Sequence, residues 1–176
     1  MIDAAAYRAT ETLKDGTAVV VRAIQPEDKG AILDAFNGLD RDSIYTRFFG
    51  YKRELTESDL RQITNVDFSN VVALVAIEQG HNNRLIGGGR YFRDALQDSA
   101  EVAFVTIDAC HGRGVASLIL EHLATIARAQ GILRFEADVL ARNKGMLAVF
   151  DHSGLPLTIR NEGAALHISM LLVPTP

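Results

Sequence analysis

The sequence predicts a single α/β domain with a sheet of about seven strands flanked by helices. Short β-branched runs are followed by stretches in which apolar residues recur every three or four positions, the patterns of strands and of amphipathic helices. The chain has 176 residues, of which 48% are apolar, which is enough for one buried core. No linker composition divides it, so we expect one domain.

The first half of the chain predicts one strand followed by two or three helices. Residues 1–16 are polar and mixed, and we assign them to an N-terminal extension ahead of a domain at 17–173. Residues 17–24 are β-branched and predict the first strand. Helix starts are expected at Pro26, which suits a first helical turn, and after Thr56, which is a good cap.

The second half predicts six strands and two helices. The strands are expected at residues 71–77, 85–92, 100–107, 132–140, 157–161 and 165–173. One helix is expected from Val115 to a stop at Gly131, and a shorter one at 143–152. Three glycines at 87–89 interrupt a strand pattern, which indicates a bulge or the close approach of another backbone element.

Composition excludes several classes of protein. The formal net charge is −4 and the basic residues are scattered, so we expect neither a nucleic-acid nor a membrane partner. Cys110 is the only cysteine, which fits a reducing compartment. No apolar run approaches the roughly 18 to 20 residues of a membrane span, and the first residues do not read as a signal peptide. We therefore expect a cytoplasmic protein.

The junction between the strand at 100–107 and the following helix contains Gly112 and Gly114. A strand, a glycine loop and a helix start direct several backbone N–H groups at one spot, which favours a phosphate, although a plain turn also uses glycine. The ending of a P-loop is absent, and Ser117 stands where a dinucleotide fingerprint has its third glycine. His81, His152 and His167 lack metal-ligand spacing, so no metal is predicted.

The element order and the loop at 111–116 resemble the GNAT superfamily of N-acetyltransferases, over residues 17–173. The resemblance implies a mixed sheet and acetyl-CoA as the acyl donor. It implies backbone contacts from the preceding strand to the pantetheine arm, pyrophosphate contacts from the loop, and a cofactor contact from an asparagine after the next strand. The corresponding cofactor-binding residues are Phe104, Val105, Thr106, His111, Gly112, Arg113, Gly114, Val115, Ala116, Ser117 and Asn143.

Segments 42–49, 66–67, 89–91 and 100–104 more narrowly resemble the acetyltransferase domain of bacterial protein-lysine acetyltransferases that modify acyl-CoA synthetases. That resemblance implies Glu101 as the general base. The chain departs from the superfamily pattern in two places: His111 replaces the usual Gln or Arg, and Phe150 stands where many members have a tyrosine that protonates the leaving thiolate.

Acetylation of a lysine requires the neutral amine, yet a pKa of about 10.4 leaves only about one amine in 10³ neutral at pH 7. Glu101 is the one acid in the middle of the predicted central strand, where we expect partial burial to raise its pKa into a useful range. Position alone equally allows a structural carboxylate paired with Arg90 or another arginine.

The sequence therefore predicts an N-acetyltransferase, acting as a monomer or homodimer, that works by direct attack in a ternary complex. A protein lysine is the leading acceptor. The alternatives are a small amine such as a polyamine or aminoglycoside, and a non-catalytic acyl-CoA-sensing module. An aromatic and basic group is a candidate lining for the acceptor side, although such groups also form cores; it comprises Tyr45, Arg47, Phe48 and Tyr91.

Overall fold

A computed structural model of the chain describes residues 1–37, 55–80, 83–94, 96–107 and 112–172. The strands in these ranges are β1 Arg8–Thr12, β2 Ala18–Ala23, β3 Val71–Glu78, β4 Arg84–Arg93, β5 Ser99–Thr106, β6 Arg134–Leu140, β7 Leu157–Glu162 and β8 Ala165–Leu171. The helices are α1 Lys29–Asn37, α2 Glu57–Thr64, α3 Val115–Ala129 and α4 Lys144–Asp151. Within the described residues, no helix is long and apolar enough to cross a membrane.

The eight strands form one open sheet in the order β1-β2-β3-β4-β5-β6-β8-β7. Neighbouring strands are antiparallel except β5 and β6, which are parallel, so the sheet is mixed. The predicted α/β fold with a mixed sheet flanked by helices is confirmed.

Strand β1 lies inside the segment that the sequence assigned to an N-terminal extension. It pairs with β2 along its whole length, from Arg8 opposite Arg22 to Thr12 opposite Ala18. Its residues alternate between exposed and half-buried, so the strand carries no apolar signal. The sheet therefore has one strand more than the seven that the sequence predicted.

The helix starts follow the predicted local chemistry. Pro26 opens a short 3-10 turn that leads into α1, and the Asp28 carboxylate there accepts hydrogen bonds from Arg22 at 2.7 and 2.9 Å. At the start of α2, Thr56 and Asp59 form a capping box with hydrogen bonds of 2.9 and 3.1 Å. The Thr56 and Asp59 bonds satisfy backbone N–H groups that have no partner within the helix, and Asp28 likewise accepts the Gln25 N–H at 2.7 Å.

The glycines of β4 allow α3 to lie close against the sheet. A Cβ built on Gly87 would be 2.7 Å from Val115 Cγ1, and one built on Gly89 would be 2.7 Å from both Ile119 Cγ2 and Phe104 Cδ1. The register between β3 and β4 also shifts just before Gly87. The run of glycines therefore marks both a bulge and a close approach, as the sequence indicated.

The sheet opens between β5 and β6. Within the described residues these strands are paired only from Ser99 opposite Arg134 to Glu101 opposite Glu136, although β5 continues to Thr106 and β6 to Leu140. We call the point at Glu101 and Glu136 the fork. The main hydrophobic core packs α3 and α4 onto one face of the sheet, and smaller clusters lie under α1 and α2 on the other face.

Candidate functional site

A cleft of about 400 Å³ lies between the end of β5, the start of α3 and one side of α4. We call it the α3–α4 cleft. Apart from Arg113, it brings together all of the predicted cofactor residues that the structure describes. Those residues are Phe104, Val105, Thr106, Gly112, Gly114, Val115, Ala116, Ser117 and Asn143.

The glycine loop exposes backbone N–H groups to this cleft. Gly112 and Gly114 have φ values of 80° and 87°, a region that side-chain-bearing residues rarely adopt. Gly114 is also the N-cap of α3, so the first-turn N–H groups of the helix lack partners within the helix at the place where Val115, Ala116 and Ser117 line the cleft. The positive end of the helix dipole adds to this, and the arrangement suits an anionic group.

Asn143 holds the opposite wall of the cleft. Its Oδ1 accepts a hydrogen bond from the Met146 N–H at 3.1 Å, which makes Asn143 the N-cap of α4. The residue therefore fixes where α4 begins and also lines the cleft. Both functions are available to one short amide side chain.

The side chain of Arg113 turns away from the cleft. Its Nε lies 2.8 Å from Asp15 Oδ2, its Nη1 lies 3.0 Å from Glu78 Oε2, and its Nη2 donates to Thr17 Oγ1 at 2.8 Å. Hydrogen bonds from Thr17, together with the bond and charge of Arg113, lower the pKa of Asp15 to about 2. The guanidinium thus anchors the turn between β1 and β2, and the predicted contact of Arg113 with the cofactor stays a prediction. His111 lies outside the described residues.

Several lining residues were not predicted from the sequence. Lys14 reaches the cleft from the turn after β1, a segment without a motif. The others lie on α4 or at its C-cap and recur at spacings of three or four residues, as in 145, 148 and 152, so the helical periodicity could have identified them. They are Gly145, Met146, Ala148, Val149 and His152.

Glu101 lies at the fork and lines a second cleft, of about 320 Å³, on the other face of the sheet. We call this the acid cleft. Its ionisable members are Asp94, Glu101, Glu136, Asp138 and His167. Glu101 is exposed, so the expectation of partial burial is wrong: side chains at this position of β5 point away from the core under α3 and α4.

Arg90 is half-buried on β4 and does not form an ion pair with Glu101 among the described contacts. Burial lowers the pKa of Arg90, while the charge of Glu101 partly opposes that shift. The two groups therefore interact through space, and the alternative of a direct Glu101–Arg90 pair is not what the structure contains.

His167 is held between two carboxylates of the acid cleft. Its Nδ1 lies 2.8 Å from Asp138 Oδ1 and its Nε2 lies 2.8 Å from Glu136 Oε2. These hydrogen bonds, that of Asp138 first, raise the pKa of His167. Donor atoms of Asp138, Glu162 and His167 lie within 4.8 Å of one another, a grouping that could hold a metal ion. The spacing of histidines alone could not reveal it because the three residues come from different strands.

Two aromatic residues considered for the chemistry belong to the core. Phe150 is 2% exposed and its ring packs against that of Phe104 at a centroid distance of 6.0 Å. Tyr91 is fully buried and donates a hydrogen bond to Gln130 Oε1 at 2.7 Å, so its expected place on the acceptor side is wrong. The remaining acceptor-side candidates, at positions 45, 47 and 48, lie outside the described residues.

Comparison with known proteins gives consistent matches. The acetyltransferase (GNAT) family model matches residues 40–155. The acetyltransferase PA5475 of Pseudomonas aeruginosa is 27% identical over 137 residues, which is 77% of this chain and 74% of that protein. The acetyltransferase Pat of Mycolicibacterium smegmatis is 28% identical over 143 residues, which is 81% of this chain but only 42% of Pat.

A solved structure, the GNAT domain of S. lividans PAT, superposes with a TM-score of 0.84 at 34% identity. The match covers 93% of this chain and 96% of that domain. This chain is therefore similar to that domain over nearly its whole length, in addition to having the element order, the glycine loop and the fork described above. The chain belongs to the GNAT family of acetyltransferases.

Proposed function

We propose that this acetyl-CoA-dependent N-acetyltransferase binds its donor in the α3–α4 cleft and acetylates a protein lysine, with Glu101 as the general base. The proposed catalytic domain is residues 17–173, to which β1 adds an edge strand. The acetyl thioester supplies the electrophile. The cytoplasm, with its reduced thiols, is the proposed location of a chain whose single cysteine is Cys110.

The α3–α4 cleft supports the donor assignment. The N–H groups around Gly112 to Ser117 would hold the pyrophosphate, and Asn143 stands across the cleft from them. Residues Phe104 to Thr106 of β5 lie beyond the fork, so their main chain faces the opened space rather than β6. Backbone groups there would orient the pantetheine arm and polarise the thioester carbonyl.

The single observation that carries the proposal is the position of Glu101 at the fork. The same strand lines the α3–α4 cleft with residues 104–106 and the acid cleft with Glu101, so donor and acceptor can approach β5 from opposite faces. A carboxylate at the fork can accept a proton from the acceptor's ammonium group, and the neutral amine that results can then attack the thioester carbonyl. The neighbouring acids favour a cationic acceptor such as lysine before it loses that proton.

The leaving thiolate needs no side-chain acid in this proposal. Phe150 cannot donate a proton and is buried against Phe104. A thiol with a pKa of about 8.5 is a tolerable leaving group near neutral pH, and water can protonate it after departure.

Replacing Glu101 by Gln tests the proposal. We expect turnover to fall by about 10²-fold while the dissociation constant for acetyl-CoA is unchanged, because the amide keeps the shape and loses the base. Glu121→Gln, on the exposed side of α3, is the matched control and should keep full activity. Equal turnover in the Glu101→Gln and control enzymes would remove Glu101 from the mechanism.

A small cationic amine is the second candidate acceptor, and the acid cleft is the observation that favours it. Mass spectrometry of candidate acyl-CoA synthetases, run beside a panel of polyamines and aminoglycosides, separates the two. Acetyl-lysine on a protein at rates above those for the panel supports the first proposal. Binding of coenzyme A without acetyl transfer to any amine would contradict both.

A further inference from the structure

We infer that Lys14 binds the 3′-phosphate of coenzyme A at the edge of the α3–α4 cleft, and that Arg113 acts as a positioning residue that holds it there. The inference rests on the proposed donor site. It gives a binding role to a residue of the segment 1–16 and a different role to the arginine of the glycine loop.

Lys14 lies at the edge of the cleft on a compact turn. The turn is closed by two backbone hydrogen bonds, from the Leu13 N–H to the Thr17 carbonyl and from the Gly16 N–H to the Leu13 carbonyl, each 2.9 Å long. Gly16 permits the turn with a φ of 89°. Lys14 itself is exposed and lines the cleft together with the glycine loop, so its ammonium group can meet a ligand there.

Arg113 ties this turn to the glycine loop. Its side chain contacts Asp15 and Thr17 on the turn and Glu78 at the end of β3. Asp15 in turn accepts the Thr17 N–H at 3.0 Å. The arginine side chain is 23% exposed, the Glu78 side chain 11% and the Asp15 side chain 47%, so the contact with Glu78 is partly shielded from water, whereas the ion pair with Asp15 lies at the surface. The same loop that would bind the pyrophosphate thus fixes the residue next to Lys14.

Among the described residues near the turn, Lys14 is a cation without a carboxylate partner. The carboxylates of Asp15 and Glu78 face Arg113, and Glu78 also lies 3.9 Å from Arg84. Lys14 makes no hydrogen bond or ion pair with another residue in the described part of the chain. A flexible ammonium group of this kind binds phosphate as a compact point charge.

The 3′-phosphate is the group of coenzyme A that this cation fits. The pyrophosphate is served by the backbone N–H groups of the loop and by the helix dipole. A phosphate monoester, with a second pKa of about 6, carries close to two negative charges at pH 7 and needs a separate partner. Lys14 lines the same cleft as the loop but lies on a different element, so it offers a positive charge separate from the groups that would bind the pyrophosphate.

Calorimetric titration with coenzyme A and with 3′-dephospho-coenzyme A tests the inference. The unaltered protein should bind coenzyme A about tenfold more tightly than the dephospho form, the size of one charged hydrogen bond. Lys14→Met should abolish that preference and leave the affinity for the dephospho form unchanged. Arg61→Met, which removes an exposed cation from α2, is the control and should keep the preference.

Arg113 is tested by the same ratio of affinities. Arg113→Met should reduce the preference for coenzyme A because the turn is released, whereas a purely structural role would weaken both ligands equally. Asp15→Asn keeps Arg113 and weakens the same link, so it tests positioning even when Arg113→Met is unstable, and it should lower the preference by a smaller factor.

Three results would overturn the inference. Equal losses for both ligands in Lys14→Met would place the lysine on the pyrophosphate, and unchanged affinities would remove it from the site. An unaltered protein that binds both ligands equally would refute a 3′-phosphate contact while leaving the proposed donor site intact. Failure of the unaltered protein to bind either ligand would instead refute the proposed function itself.

Discussion

The two clefts that flank β5 are built from different chemical groups, mainly main-chain and apolar groups in one and ionisable side chains in the other. The α3–α4 cleft presents main-chain N–H groups, glycines and apolar side chains, and most of its lining follows from two short stretches at 104–117 and 143–152. The acid cleft is made of ionisable side chains that β4, β5, β6 and β8 bring together. The proposed donor side is therefore encoded locally, whereas the proposed acceptor side depends on the assembled sheet.

This difference predicts which substitutions disturb the fold and which change only the charge of a cleft. Main-chain groups are fixed by the fold, so a substitution in the α3–α4 cleft acts mainly by moving α3, α4 or the loop. In the acid cleft, each side chain can be replaced without disturbing a helix. We expect the first kind of change to alter stability and donor binding together, and the second kind to alter charge and pH dependence.

The largest effect on stability is expected for Gly89→Ala. The new Cβ would lie 2.7 Å from Ile119 Cγ2 and Phe104 Cδ1, so α3 or the rings beneath it must shift, at a cost of about 1 to 3 kcal/mol. Gly30→Ala is the matched control, since a Cβ there meets nothing within 4 Å and should stabilise α1 by up to about 1 kcal/mol. Urea unfolding measures both, and similar midpoints for the two variants would refute the close approach.

An intermediate effect is expected at Asn143, where the two roles can be separated. Asn143→Ala removes the cap of α4 and should cost about 1 kcal/mol in unfolding free energy. Asn143→Asp keeps a capping oxygen and should keep stability, yet its negative charge should weaken acetyl-CoA binding several-fold. Thermal unfolding and ligand titration of both variants give the comparison. Unimpaired binding in Asn143→Asp would exclude Asn143 from the donor site.

The smallest effect is a pH dependence in the acid cleft. Because the folded-state pKa of His167 is raised above the ordinary 6.5, its contribution to stability is complete below that value and is lost as the pH rises through the folded pKa. We expect a loss below about 1 kcal/mol, since all three side chains are partly exposed. His167→Gln should flatten the profile of unfolding midpoint against pH, and an unchanged slope would contradict the assignment.

The same division explains how far the sequence could be interpreted. The glycine loop before α3, the run of glycines in β4 and Asn143 at the start of α4 are local features, so their positions in the fold could be predicted from the sequence. Strand β1 was missed because an exposed edge strand has no apolar pattern, and Lys14 because it lies in the turn that follows. The orientation of Arg113 and the burial of Tyr91 depend on residues far away in the chain, among them Glu78 and Gln130. No spacing rule contains that information.

The fork also divides the sheet into two unequal groups of strands. Five strands form one group and three form the other. In the described residues, the two groups are joined by the short parallel pairing that ends at Glu101 and Glu136. A donor whose amide-bearing pantetheine arm lies in the fork would supply hydrogen bonds between the two groups where β5 and β6 are not paired. Donor binding would then extend the hydrogen bonding of the sheet. Without the donor, the two groups of strands would separate most easily at the fork, which is also where the proposed reaction takes place.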